Sequence, residues 1–116
     1  MNYLCAVYLE PGALAGLSAT ERAELDRDSL ASDQELMKQG HFIAASALQS
    51  VKTAKTVRNR GGKVTMTDGP SAETTEVLGG FIFIEARDLE EALRIAAGIP
   101  IAKYGSIEVR PKMNIG

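Results

Sequence analysis

The order of strands and helices in this sequence predicts one α+β domain built on an antiparallel sheet. Residues 3–9 and 81–84 are apolar at almost every position, as in central strands that are covered on both faces. Two other segments carry helix start and stop signals, and Gly61-Gly62 joins two alternating runs in the pattern of a β-hairpin. No Pro-rich or Ser-rich linker divides the chain, so we expect a single domain over residues 1–116.

The first predicted strand, Tyr3 to Leu9, is followed by Pro and Gly residues that break it. Ser18 or Thr20 then offers an N-cap for a helix, because a hydroxyl at that position accepts a hydrogen bond from the first turn. We expect this helix to run to about Gln39, with Gly40 as its stop.

The apolar side of this first helix is imperfect. By the 3.6-residue period, one side carries Ala19, Ala23, Leu30 and Met37, and Leu25 and Leu36 lie roughly 100° around the axis. Asp26 and Asp33 fall inside the same arc. The helix therefore either breaks near residues 28–29 or turns these carboxylates toward a polar cavity or a second subunit.

Residues 41–48 predict a second strand with small apolar residues on both faces. The hairpin that follows has its strands at residues 56–60 and 63–67. In this register Val57 lies opposite Met66. The other face carries Arg58, Arg60, Lys63 and Thr65, and we expect it to point to water.

A second helix is predicted after the strand at residues 81–84. Asp88 stands three residues ahead of Glu91, which is the spacing of a capping box. The apolar side of this helix is formed by Leu89, Ala92, Leu93 and Ala96, and Gly98 and Pro100 end it. Residues 106–110 alternate in hydropathy, which predicts a half-exposed last strand.

With the hairpin treated as an insertion, this order is that of the ferredoxin-like fold, an antiparallel sheet with two main helices on one face. Such an arrangement leaves the other face of the sheet bare, although the central strands are apolar on both sides. A second subunit is the simplest cover for that face. We therefore predict a homodimer packed sheet to sheet.

The composition argues against several classes of protein. Thirteen Lys and Arg against 15 Asp and Glu give a net charge of -2, and no Trp is present, so we expect no nucleic-acid partner. No apolar run approaches the roughly 18 residues of a membrane span, and the N-terminus lacks signal-peptide features. We expect a cytoplasmic protein that binds no membrane, with Cys5 as a buried, inert thiol.

Metal and cofactor chemistry has no support in the sequence. The one His, the one Cys and the scattered carboxylates offer no pair at a metal-ligand spacing. Gly61-Gly62 and Gly79-Gly80 lack the rest of a phosphate-loop pattern. We therefore predict no cofactor.

The candidates for chemistry lie mainly in residues 67–81, where acids, hydroxyls and turn formers separate two strand-like runs. Asp68, at the end of a strand, is either a general base or a turn residue that accepts backbone N–H groups. His41, the only His, titrates near neutral pH and is suited to proton transfer. A carboxylate such as Asp68 on the His41 ring would fix its tautomer and increase its basicity.

Other polar residues are candidates for a supporting role. Glu73 could assist proton transfer, and Arg58 could bind a carboxylate. Ser71 and Thr74 have no recognisable base beside them, so we interpret them as turn residues or ligand contacts rather than nucleophiles.

Several stretches resemble the signature of a known family: Thr67-Asp68-Gly69-Pro70, Ala72-Glu73-Thr74 and Leu78-Gly79-Gly80-Phe81. The strand from His41 to Gln49 and the closing residues 105–111 also match it. Over nearly its whole length the sequence resembles the YCII-related proteins, specifically the DGPF subgroup. The resemblance implies a dimeric α/β barrel, in which two ferredoxin-like subunits join face to face, with a cleft between sheet and helices.

The biochemical function of this subgroup is largely unassigned, and its members often occur near, or fused to, sigma factors of the extracytoplasmic-function type. This sequence departs from the subgroup's pattern at three positions. Ser71 stands in place of Phe, Thr75 in place of Lys, and Ser46 in place of a common Glu. The implied pocket therefore lacks one acid and one base, and Ser46 becomes a candidate ligand contact.

Two hypotheses of function remain open. In the first, the protein is an enzyme, or the relic of one, that performs cofactor-free acid/base chemistry on a small organic molecule. His41 and Asp68 exchange protons, and Glu73 assists. In the second, it is a non-catalytic module that binds a ligand or a protein such as a sigma factor, as the departures from the pattern suggest.

Overall fold

The computed structural model describes residues 1–115 and confirms the predicted order of elements. The strands and helices are β1 (Asn2–Leu9), α1 (Ala19–Lys38), β2 (Phe42–Ala47), β3 (Lys55–Arg60), β4 (Lys63–Asp68), β5 (Val77–Glu85), α2 (Leu89–Ala97) and β6 (Ser106–Pro111). Short 3₁₀ helices cover Val51–Thr53 and Pro100–Lys103. Four strands form one sheet in the order β2-β5-β1-β6, and β3 and β4 form a separate two-stranded sheet.

The core lies between this sheet and the helices. All strand pairs of the sheet are antiparallel, and Cys5 of β1 lies opposite Ile82 on one side and Val109 on the other. The buried residues that pack together are Tyr3, Cys5, Ile84, Ala86, Ala92, Ala96 and Ile99. The sequence prediction that β1 and β5 are central strands is thus confirmed. Cys5 is fully buried, and burial raises the pKa of its thiol to about 11.

The second face of the sheet carries apolar side chains that no other element of residues 1–115 covers. Because side chains alternate along a strand, Leu4 and Ala6 point away from the helices, as do Phe81 and Phe83 of β5. Leu4 is 37% exposed, and the two Phe residues are half-buried. The bare face predicted from the sequence is therefore present and apolar.

Helix α1 begins as predicted but turns a different side inward. Ser18 accepts the Glu21 N–H, and the Glu21 carboxylate accepts the Ser18 N–H, which completes a capping box. Leu25 and Leu36 are the buried residues of the helix. Leu30 and Met37 are 65% and 54% exposed, so the prediction of an apolar side through those two residues is wrong.

The helix also runs unbroken past residues 28–29. Asp26 and Asp33, the two acidic residues inside the predicted apolar arc, have different environments. Asp26 is exposed and pairs with Arg22 at 3.7 Å. Asp33 is half-buried, and desolvation raises its carboxyl pKa. Only Asp33 therefore faces partly inward.

The hairpin has the predicted register, with Val57 opposite Met66 and Arg58 opposite Thr65. Gly61 and Gly62 make the turn at φ values of 59° and 83°, in the left-handed region that glycine adopts without strain. The hairpin projects from the domain, and the radius of gyration is 16.2 Å, against about 13 Å for a compact chain of this length. Val57 and Met66 are 61% and 75% exposed, so the apolar face of the hairpin is open to water.

Among residues 1–115, no helix combines the length and the apolar character that a membrane crossing requires.

Candidate functional site

A groove of about 620 Å³ lies between α1 and α2, on the helical side of the sheet. The side of α1 that lines it is largely polar. Asp28, Ser32, Glu35 and Gln39 recur along that side at the spacing of one helical face, and they line the groove. The opposite wall is formed by His41, Glu91, Arg94 and Ile95.

The His41 ring is oriented by a backbone carbonyl. Its Nδ1 lies 2.8 Å from the carbonyl oxygen of Glu85, at the end of β5. A carbonyl oxygen only accepts hydrogen bonds, so Nδ1 must carry the proton of this bond. The neutral ring is therefore protonated at Nδ1 and has its lone pair on Nε2. Within residues 1–115, no group hydrogen-bonds Nε2, and this nitrogen is left for a ligand in the groove.

Glu91 places a carboxylate beside the same ring. Its Oε1 lies 4.0 Å from His41 Nδ1 and accepts the Arg87 backbone N–H at 2.8 Å. Its Oε2 lies 3.3 Å from the Arg87 guanidinium. The hydrogen bond from the Arg87 backbone, together with the charges of Arg87 and His41, lowers the pKa of Glu91 against an opposing desolvation effect. The side chain is therefore an anion at neutral pH.

Asp68 lies outside this groove and does not contact His41. Its side chain is 88% exposed and forms a salt bridge with Lys55 at the base of the hairpin. His41 immediately precedes β2, whereas the hairpin follows the far end of that strand. A strand of six residues spans about 17 Å. Within one chain, the structure therefore does not bring the predicted His41 and Asp68 pair together.

The remaining predicted residues lie near the hairpin or on the bare face of the sheet. Glu73 is exposed. Arg58 donates to the Ser71 carbonyl at 3.1 Å, which ties the hairpin to the loop that follows it. Ser46, on the bare face of the sheet, donates to the Ala47 carbonyl at 3.2 Å. None of these side chains lines the groove that contains His41.

Thr74 belongs to a second, smaller cavity of about 390 Å³ at the other end of the molecule. Its hydroxyl donates to the Glu76 carbonyl. The Glu76 carboxylate accepts a hydrogen bond from Ser106, with distances of 3.2 and 3.1 Å to its two oxygens. The cavity is also lined by Tyr8, Thr75, Ile107 and Glu108. Thr74, Glu76 and Ser106 of this cavity are thus hydrogen-bonded within it.

The sequence interpretation missed the residues that share the groove with His41. Glu91 was predicted only as a capping residue, and Asp88 does accept the Glu91 N–H at 2.9 Å. The Glu91 carboxylate nevertheless lies beside His41. The available signal was the polar side of α1, where Asp28, Ser32 and Glu35 interrupt the apolar pattern. In the described part of the chain, no cluster of three or more His, Cys, Asp or Glu residues could hold a metal ion.

The fold and the groove define a class: a ferredoxin-like α+β protein with a polar cleft on its helical side. Comparison with known families matches residues 1–115 to the YCII-related domain. The chain belongs to the YCII-related family. An uncharacterised protein of Rhizobium meliloti (strain 1021) is 33% identical over 113 residues, which cover 96% of this chain and 91% of that protein.

A solved structure with a similar fold is that of the 5-chloro-2-hydroxyhydroquinone dehydrochlorinase TftG from Burkholderia phenoliruptrix AC1100, in complex with 2,5-dihydroxybenzoquinone. The match has a TM-score of 0.57 and covers 97% of this chain and 94% of that chain. At 16% sequence identity it establishes a common fold alone.

Proposed function

We propose that the protein is a small cytoplasmic enzyme of the DGPF subgroup that performs cofactor-free acid/base chemistry on a small organic molecule bound between α1 and α2. His41 is the residue that moves the proton. The observation that carries this proposal is the hydrogen bond from His41 Nδ1 to the Glu85 carbonyl, at 2.8 Å, in the wall of the groove. It leaves Nε2 as the basic nitrogen available to a ligand.

The groups around His41 suit a ring that gains and loses a proton. The carbonyl acceptor holds the ring in one orientation in both states, because Nδ1 carries a proton in each. When Nε2 takes a proton, the ring becomes a cation 4.0 Å from the Glu91 carboxylate. The attraction between these charges stabilises the product of proton transfer.

The walls of the groove favour a small polar molecule. Arg94 contributes a guanidinium and Ser32 a hydroxyl, while Ile95 and Leu36 supply apolar surface. A guanidinium binds the oxygens of a carboxylate, an enolate or a phenolate. A substrate with an acidic C–H or O–H group and a charged or polarised oxygen fits this set. The TftG ligand, 2,5-dihydroxybenzoquinone, has such oxygens and is a suitable first probe.

Asp68 and Glu73 have no part in this proposal within a single chain. Both are exposed and lie away from the groove. They could reach it only from a second copy. The substitution Asp68→Asn therefore distinguishes two cases. It leaves ligand binding unchanged if the groove functions within one chain, and it weakens binding if Asp68 of a second copy completes the groove.

The experiment is a binding titration followed at the ring nitrogens of His41, the only imidazole in the chain. The probes are 2,5-dihydroxybenzoquinone, small phenols and small hydroxy acids. We expect at least one to shift the Nε2 resonance and to protect Glu91 and Arg94 amides from exchange. His41→Gln should abolish the binding, and Asp68→Asn should retain it. If no probe moved Nε2, or if binding survived His41→Gln, the proposed site would be wrong.

We also propose that the protein is a homodimer packed sheet to sheet. The support is the bare, apolar face of the sheet, where Leu4, Phe81 and Phe83 lie away from the helices. Monomeric proteins rarely expose a continuous apolar surface of this kind. Two copies related by a twofold axis would cover it with the same residues from each.

A second candidate function is binding of a sigma factor, in a non-catalytic role. The observation that favours it is the exposure of the acidic loop, where Asp68 and Glu73 face water rather than a cleft. Binding of a purified extracytoplasmic-function sigma factor that is lost in Glu73→Lys and kept in His41→Gln would support this candidate. The opposite pattern, or no binding, would eliminate it.

A further inference from the structure

Strands β3 and β4 form a projecting arm, residues 55–68, whose hydrogen bonds within residues 1–115 go to the arm itself and to the loop after it. Gly69 donates its N–H to the Ala54 carbonyl, and Thr56 donates its hydroxyl to the Gly69 carbonyl at 2.7 Å. Arg58 donates to the Ser71 carbonyl. In the described chain, no hydrogen bond joins the arm to the four-stranded sheet. Among residues 1–115, the hydrogen bonds that the arm makes outside itself thus go to the loop next to it in sequence.

One face of the arm is apolar. Because the register places Val57 opposite Met66 and Asn59 opposite Val64, all four side chains lie on the same side. The exposed fractions of Val57, Val64 and Met66 are 61%, 52% and 75%. An isolated two-stranded ribbon is marginally stable in water and gains its stability by packing an apolar face against another element. No element of residues 1–115 does this for the arm.

The exposed area of the whole chain is too large for a monomer of its mass. Its accessible surface is 8106 Å². A compact monomer of this mass exposes about 6,100 Å². The excess, roughly 2,000 Å², is the share that each protomer contributes to a large, stable dimer interface. The projecting arm and the bare sheet face are the two obvious sources of this excess.

The charges of the arm complement those of the rest of the chain. The arm carries four of the 13 basic residues (Lys55, Arg58, Arg60 and Lys63) and one of the 15 acidic residues (Asp68), for a net charge of +3. The remaining nine basic and 14 acidic residues give the body of the protein a net charge of -5. A basic arm that reaches onto the acidic body of another copy is thus electrostatically favoured.

We infer that the arm is a dimerisation element, which packs Val57, Val64 and Met66 against a second copy of the chain. The inference rests on the homodimer proposed above and extends it. In that dimer, each protomer buries the bare face of its sheet, and each arm packs against the body of the other copy. Every contact occurs twice under the twofold axis, so a change in the arm acts twice on the stability of the dimer.

The test is sedimentation equilibrium of the full chain and three variants. Met66→Lys places a charge on the apolar face of the arm. Thr67→Lys makes the same charge change at the next residue, on the opposite face. Leu4→Lys alters the bare face of the sheet. We expect Met66→Lys to raise the dimer dissociation constant by about 100-fold or more, and Thr67→Lys to raise it by less than about 3-fold.

The variants distinguish the contribution of the arm to dimer stability from that of the bare sheet face. Met66 is 75% exposed, so its replacement does not disturb the fold of the protomer, and a circular dichroism spectrum like that of the wild type verifies this. A dimer that is lost in Leu4→Lys but unaffected by Met66→Lys would overturn the inference and leave the sheet-to-sheet dimer in place. A wild-type chain that is monomeric at micromolar concentration would overturn both.

Discussion

Gly105 is a residue whose small size is required by the backbone of another strand. It lies immediately before β6, beside Tyr8 of β1. A Cβ atom at this position would lie 2.2 Å from the Tyr8 carbonyl oxygen and 2.5 Å from the Leu9 side chain. No rotamer relieves a contact with a backbone atom, so β6 would have to shift relative to β1.

We therefore predict that Gly105→Ala lowers the free energy of unfolding by about 1–3 kcal/mol. The measurement is urea denaturation of the variant and the wild type at one protein concentration. Gly16→Ala is the matched control, because a Cβ there would meet nothing within 4 Å. Replacing Gly by Ala reduces the entropy of the unfolded chain, so it does not by itself destabilise the folded protein. An equal loss of stability in Gly16→Ala would therefore contradict the contact with Tyr8 as the cause.

At the scale of the element, α1 is fixed at its start by a reciprocal pair of hydrogen bonds. Ser18 and Glu21 each accept the other's backbone N–H at 3.0 Å. Loss of the hydroxyl leaves an N–H of the first turn without its acceptor. We predict that Ser18→Ala lowers the free energy of unfolding by about 1 kcal/mol.

Thr20 is the control for this prediction, since it was the other capping candidate in the sequence but lies inside the first turn. Thr20→Ala should leave the free energy of unfolding within about 0.5 kcal/mol of the wild type in the same urea experiment. A larger loss from Thr20→Ala than from Ser18→Ala would contradict the assigned cap.

The carboxylates that accept backbone hydrogen bonds at the starts of α1 and α2 also predict how the stability of the protein depends on pH. Hydrogen bonds from the backbone lower the carboxyl pKa values of Glu21, Asp88 and Glu91 in the folded protein. Their contribution to stability is therefore fully present above the carboxyl pKa values of the unfolded chain, which are about 4. It is lost as pH falls through the lower pKa values of the folded protein. We predict that stability decreases from pH 5 to pH 3.

Two substitutions test the sign of this pH effect. Asp88→Asn keeps a capping acceptor and removes the ionisation, so it should make the decrease shallower. Asp33, whose carboxyl pKa is raised by desolvation, takes up a proton more readily in the folded state as pH falls. Asp33→Asn should therefore make the decrease steeper. The same change of slope in both variants would contradict the assignment.

The elements were predictable because their signals are local. The capping pairs at Ser18 and Asp88 and the turn at Gly61-Gly62 each depend on residues within one turn of one another. The inward side of α1 was not predictable in the same way. Leu30 and Met37 are as apolar as Leu25 and Leu36, and only the placement of the sheet decides which pair is buried.

At the scale of the whole molecule, the location of the candidate site depends on contacts that the sequence does not encode locally. His41 was a predicted candidate, but its partner is a carbonyl 44 residues away. Every residue has a carbonyl, so the identity of Glu85 carries no signal of this role. Asp68 has the side chain expected of a partner, yet β2 separates the two in the fold.

The shape of the molecule likewise depends on contacts that the sequence does not encode locally. The register of the hairpin followed from its sequence, since residues on the two strands pair across a turn of fixed length. The direction in which the hairpin leaves the domain depends on the connection after β2, for which no pattern exists. The sequence therefore predicted the arm as an element without predicting that its apolar face is open to water.

The central claim is that His41 presents Nε2 as a base in the groove between α1 and α2. The most direct test is a long-range ¹H–¹⁵N spectrum of the free protein, in which the single imidazole gives an unambiguous signal. We predict a neutral ring that carries its proton on Nδ1, with the proton signal retained in a hydrogen bond to the Glu85 carbonyl. A neutral ring protonated at Nε2 would contradict the account, because the lone pair would then lie on the nitrogen beside that carbonyl.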